Sequence, residues 1–106
     1  MSEFIQITTT IDSEELAMQI AEKLVEKKIA ACVQVPGPIT STYEWKGKIE
    51  TAREWYCVIK TRQNLYQEVE KAIKTLHPYE APEIIAVPIL EGNKDYLDWI
   101  TQVVRV

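Results

Sequence analysis

The stretch ITSTYEWKGKIETAREWYCVIK, residues 39–60, decides the fold. β-Branched and aromatic residues fill both sides of Lys46-Gly47, and a glycine there supplies the positive φ of a tight hairpin turn. ITSTYEW (39–45) is therefore one arm, and KIETAREWYCVIK (48–60) runs back as the other. Upstream, the first arm continues into IAACVQV (29–35) across Pro36-Gly37-Pro38. Prolines cannot donate to a ladder, so that interruption reads as a bulge or kink on a sheet edge. Each arm then has about 13 to 16 residues and spans about 40–50 Å. A chain of this length has a radius of gyration of only about 13 Å when folded. The tip must project beyond its own core, carrying Ile39, Tyr43, Trp45 and Ile49. Exposed apolar strands with open edges call for a cover, and another copy of the chain supplies it.

Working outward, FIQITTTI (4–11) reads as a strand. Asp12 opens a helix, with Glu15 completing a capping box and Ile11 and Leu16 a hydrophobic staple. Leu16, Ile20 and Leu24, with Ala17, Ala21 and Val25, form its apolar stripe, which ends at Lys27-Lys28. After the hairpin, Leu65, Val69, Ala72, Ile73 and Leu76 mark one face of a second helix, stopped at Pro78. PEIIAVPIL (82–90) is the fourth strand, and Asn93 caps a terminal helix carrying Tyr96, Trp99, Ile100 and Val103. The order is β-α-β-β-α-β-α, the α+β, ferredoxin-like sandwich with a long hairpin between its second and third strands. With 106 residues and no linker, repeat or low-complexity tract, residues 1–106 form one expected domain.

A net charge of −4, with lysines interleaved among acids, excludes a basic nucleic-acid surface. No apolar run reaches the ~20 residues of a membrane helix, and no signal peptide is evident, so the expected location is cytoplasmic. Cys32 and Cys57 form neither a C-x-x-C pair nor a disulfide framework, and read as reduced thiols. No Gly-rich phosphate loop is present, and the first loop offers acids where an anion needs donors. Enzymatic phosphate chemistry is not expected.

The single histidine, His77, ends the second helix before Pro78, an ordinary place for a side chain that interacts with the last carbonyls. Strand alternation puts Ala31, Val33 and Val35 beneath the helices and leaves Cys32 on the opposite face. If the proline segment inserts one extra residue, Cys32 comes opposite Lys60, where an ammonium favours the thiolate. Cys57 then reads as the core cysteine.

KKIAACVQV, Y-x-W-K-G-K-I-E, V-I-K-T, HPYEAPEII and YLDWI follow in order along the chain, which from residue 4 to 104 resembles the CutA divalent-cation-tolerance proteins. HPYE-x-PEI is the sharpest of these elements. The resemblance implies a stable homotrimer with hairpins pairing across subunits, and an architecture similar to the trimeric nitrogen-regulatory signalling proteins. It implies a non-enzymatic role in divalent metal ion tolerance, with copper or another divalent cation as ligand and no required cofactor. Animal relatives are linked to anchoring of a membrane esterase. The family pattern sets His77 near an intersubunit cleft with Cys32 as the matching thiol, and Glu83 joins them as a candidate metal ligand. Some relatives carry a cysteine where Thr9 stands and a second histidine where Leu76 stands, so two copper donors are missing here.

Lys60, Trp45, Tyr79 and Glu80 fit the polar and aromatic lining of a small-ligand cleft. Two further functions follow: a signalling trimer binding a small anion or nucleotide near Lys60 and His77, and a ligand-free assembly scaffold.

Overall fold

The computed structural model describes residues 3–105. Its elements are β1 (Phe4–Ile11), α1 (Glu14–Glu26), β2 (Cys32–Gln34), β3 (Ile39–Trp45), β4 (Lys48–Arg62), α2 (Tyr66–Leu76), β5 (Ile84–Pro88) and α3 (Lys94–Val103). A short 3-10 turn, Gln63–Leu65, leads into α2. The antiparallel sheet runs β2-β4-β1-β5, and β3 pairs with the outer half of β4. This is the ferredoxin-like order expected from the element pattern.

Alternation along β1 makes the core. Ile5, Ile7, Thr9 and Ile11 are buried and lie opposite Thr61, Ile59, Cys57 and Trp55 of β4. Ala17, Ile20 and Leu24 of α1 and Val69 and Ile73 of α2 close over that row. The helical stripes are thus where their spacing put them, except that Val25 is 45% exposed.

The hairpin sets the outline. β4 is 15 residues long, and the molecule measures 44 × 25 × 22 Å. From Lys48 to Glu54, β4 pairs with β3 alone. Lys46 (φ 51) and Gly47 (φ 81) make the turn, both in the left-handed conformation that such hairpins require. Carrying the β3–β4 register back unbroken would set Cys32 opposite Thr61. Its partner is Lys60, so the proline segment does insert one residue. There the Pro36 carbonyl accepts from the Tyr56 N–H at 3.0 Å, which keeps the ladder attached across the interruption.

Several boundaries differ from the sequence reading. Ser13, not Asp12, caps α1, because its hydroxyl reaches the Leu16 N–H at 3.1 Å from an extended backbone. IAACVQV contributes only Cys32–Gln34 to the sheet. Lys28 (φ 60) turns the chain, and the Ile29 and Ala30 amides bond back to the Leu24 carbonyl at 3.1 and 3.2 Å, consuming donors a strand would use. PEIIAVPIL narrows to Ile84–Pro88. Asn93 holds the cap position of α3, but its side chain makes no cap bond; its carbonyl accepts from Leu97 at 3.2 Å.

Candidate functional site

The hairpin, the end of β1 and the loop after α2 enclose a cleft of about 790 Å³. Alternation along β3 and β4 places Tyr43, Trp45 and Glu54 on one face, and these line it together with Thr10, Asp12, Glu44, Tyr79, Glu80 and Glu83. Five lining residues are carboxylates, and none is Lys or Arg. The floor is Glu54, an acidic side chain only 3% exposed. The Tyr79 hydroxyl donates to its Oε2 at 2.6 Å. Burial holds the Tyr79 phenol well above the ordinary tyrosine range, reinforced by the hydrogen bond to Glu54 and by its charge.

His77 positions that tyrosine. Its own N–H bonds the Ile73 carbonyl at 2.9 Å, closing α2. The Tyr79 amide donates to Nδ1 at 3.2 Å, so the ring proton sits on Nε2, which donates to the Thr10 carbonyl at 2.7 Å. A ring with both nitrogens engaged thus ties the loop to the end of β1. The Tyr79 ring meets it edge-on, 4.6 Å between centroids. The helix does end before Pro78, but the His77 side chain bonds the Thr10 carbonyl of β1 and the Tyr79 amide rather than the last carbonyls of α2, because the loop folds back over the end of β1.

At the mouth, the Lys46 ammonium lies 5.6 Å from the centre of the Trp45 ring and 3.9 Å from the Glu80 carboxylate. Both partners of that ion pair are largely exposed, so it stabilises little by itself. Glu83 lines the cleft from the loop side.

Lys60 and Cys32 lie elsewhere. They face each other across β2 and β4, on the sheet face away from α1 and α2. Lys60 lies six positions along β4 from Glu54, about 20 Å of strand. The Lys60 ammonium donates to the Gln34 side chain, and the Tyr96 hydroxyl lies beside the Cys32 thiol. Burial, then the charge and hydrogen bond of Cys32, push the Tyr96 phenol upward. One chain therefore gathers Trp45, Tyr79, Glu80 and Glu83 in the cleft, sets His77 behind it, and leaves Lys60 and Cys32 outside.

Glu54, Asp12, Tyr43 and Glu44 were not among the site residues expected from the sequence. The register could have flagged Glu54: it lies directly opposite Ile39 in mid-strand, where a carboxylate beside an apolar partner marks a special environment.

Among the described residues, no three His, Cys, Asp or Glu side chains are grouped to hold a metal ion. Thr9 is fully buried opposite Cys57, on the helix-covered face. A thiol at position 9 would thus face Cys57 rather than Cys32. Its own Oγ1 has no hydrogen-bond partner among the described residues.

Cys57 is the core cysteine, donating to the Ala17 carbonyl at 3.4 Å. Burial pushes its thiol up from 9.0 to about 11. The neutral thiol then persists in the folded chain after the unfolded chain has ionised. That contribution to stability is whole below pH 9.0 and is lost as pH rises to about 11. Unfolding free energy is expected to fall by on the order of 2–3 kcal/mol across this window. Cys57→Ala should remove that part of the decline in urea melts; an unchanged decline would assign it to other groups.

A family model described as CutA1 divalent ion tolerance protein matches residues 5–103. The divalent-cation tolerance protein CutA of Thermus thermophilus is 42% identical over 96 residues, covering 91% of this chain and 93% of that one. Protein CutA of Mus musculus is 46% identical over 94 residues, covering 89% of this chain but 53% of the mouse protein. The chain thus spans about half the length of that relative. Among solved structures, CutA1 from the psychrotrophic bacterium Shewanella sp. SIB1 superposes with a TM-score of 0.96 at 39% identity, covering 99% and 98% of the two chains.

Proposed function

The chain belongs to the CutA1 divalent ion tolerance family, and from that premise we propose that it is a non-enzymatic trimer that serves divalent-ion tolerance through ligand binding in the cleft floored by Glu54. The observation that carries this is the cleft itself: a buried carboxylate, aromatic walls and a loop tied down by His77. Concave sites that combine aromatic surface with convergent polar groups are where small molecules bind. Among the described residues, the carboxylates of the lining are not joined by an activated nucleophile and oxyanion donors, which supports binding rather than catalysis.

Self-association is supported by exposed apolar side chains on the open sheet face and the hairpin: Ile85 at 53%, Val87 at 48% and Ile49 at 74%. In a trimer, a neighbour closes over these residues and borders the cleft. Among the described residues no helix is long and apolar enough to cross a membrane. The two free thiols suit a reducing compartment.

The lining argues against the small anion or nucleotide considered from the sequence, because five carboxylates repel it and Lys60 is remote. Copper held by His77 and Cys32 fits one subunit poorly. His77 would have to release a hydrogen bond, and Cys32 lies on another part of the sheet. Only a neighbouring subunit could bring the thiol to the imidazole.

Calorimetric Cu(II) titration of the assembled protein, with Cu(I) competition under reductant, separates these readings. Weak binding unchanged in Cys32→Ser and His77→Ala is expected. Growth of a deletion strain in excess copper should be restored by Cys32→Ser and not by Trp45→Ala. Submicromolar, stoichiometric binding lost in either thiol or imidazole variant would replace the cleft with an intersubunit copper site.

A further inference from the structure

We infer that the cleft is a site for a linear aliphatic polyamine, with one ammonium against Glu54 at the floor and another between Trp45 and Glu80 at the mouth. The inference rests on the cleft being the ligand site, and names the chemical class of its occupant.

Three observations lead there. Glu54 is a buried carboxylate whose partner is a neutral phenol; no ion pair to it exists among the described residues. Burying a charge is costly without a counter-charge, so the floor is complementary to a cation. The carboxylates are spread around a cleft of about 790 Å³ rather than grouped on one point. Separated charges along a cavity whose walls include Tyr43, Trp45 and Tyr79 match ammonium groups spaced by methylenes better than a single small ion. The third observation adds an aromatic face to one of these acids. A primary alkylammonium already occupies the mouth: that of Lys46, 5.6 Å from the Trp45 ring centre and 3.9 Å from Glu80. The chain's own side chain shows that indole and carboxylate accept this group together, the indole through its electron-rich face. The aromatic faces of Tyr43 and Tyr79 continue along the lining, where they suit the methylene chain between ammoniums.

The same geometry makes Lys46 a competitor. An incoming ammonium must displace it, so removing Lys46 should tighten binding by more than its charge alone explains. Asparagine is the replacement of choice, since residue 46 has φ 51 and asparagine tolerates that conformation.

The test is calorimetric titration of the assembled protein with spermidine at physiological ionic strength, using Trp45→Leu, Lys46→Asn and, as a charge-matched control far from the cleft, Lys27→Asn. Binding at one molecule per subunit is expected, about tenfold weaker in Trp45→Leu. Lys46→Asn should bind severalfold tighter and Lys27→Asn like wild type. Because the net charge is −4, diffuse attraction is the alternative. Equal gains in both lysine variants, or wild-type affinity in Trp45→Leu, would show that attraction and overturn the proposal. No spermidine heat, with copper tolerance still lost in Trp45→Ala, would remove the polyamine and leave the cleft as the functional site. Normal tolerance in Trp45→Ala would remove the cleft reading itself.

Discussion

Ile59→Ala is expected to lower stability by about 2–5 kcal/mol. Ile59 is fully buried in β4, between Ile7 of β1 and Val33 of β2, under both sheet-covering helices. Truncation loses the transfer free energy of the removed carbons and leaves a cavity. The site cannot collapse easily, because strands are hydrogen-bonded on both sides of it. At ~4–8 °C per kcal/mol for a domain of this size, the melting temperature should drop by roughly 10 °C or more. Measurements belong at one fixed protein concentration, since self-association would make the midpoint concentration-dependent. A drop of under about 2 °C would mean that the row between Ile7 and Val33 repacks freely, contrary to its burial.

Gly37→Ala is expected to cost about 2–3 kcal/mol through two separate effects. Gly37 has φ +152, a backbone conformation that L side chains rarely adopt. A Cβ there would also lie 2.5 Å from Cδ1 and 2.9 Å from Cγ of the Trp55 indole, well inside van der Waals contact. Cγ is the root of the ring rather than a mobile end, so the indole must shift as a body. Trp55 packs against the core, so its movement strains the point where β1 and β3 pairing meet on β4. Combining Gly37→Ala with Trp55→Ala in a double-mutant cycle separates the effects. The steric part should vanish in the double variant while the backbone part remains. Strict additivity of the two would show that Trp55 does not resist the new methyl.

The hairpin was legible because its determinants are local. Lys46-Gly47 needs only its own φ preferences, and the period-two alternation assigns faces without knowledge of the rest. The interruption was readable too, since two prolines around a glycine cannot continue a ladder; that it inserts one residue was a condition, and the pairing of Cys32 with Lys60 meets it. Strand ends were less legible. Whether Ile29 and Ala30 join a strand or bond back to Leu24 depends on how α1 ends at Lys28, a competition for the same amides. The cap of α1 moved from Asp12 to Ser13 for a similar reason. Both side chains can accept, and their order along the chain does not say which one the entering backbone aims at the free N–H groups.

The site divides in the same way. Trp45, Tyr79, Glu80 and Glu83 lie in one cleft, whereas Lys60 does not. Its type suited a ligand, but type carries no distance, and six positions of extended strand carry it away from Glu54. Glu54 itself went unnoticed because an acid in ETAREWY reads as solvated until the loop from α2 folds over it.

By itself, the sequence determined the alternating faces, the helical stripes and the hairpin with its turn at Lys46-Gly47. These rest on interactions between residues near one another in the chain, or on a period that repeats. Only the tertiary structure decided that Glu54 is buried under Tyr79, that both His77 nitrogens are engaged, and that Lys60 and Cys32 sit apart from the cleft. Each of those facts depends on where distant segments meet, and burial and pairing are properties of that meeting rather than of any residue alone.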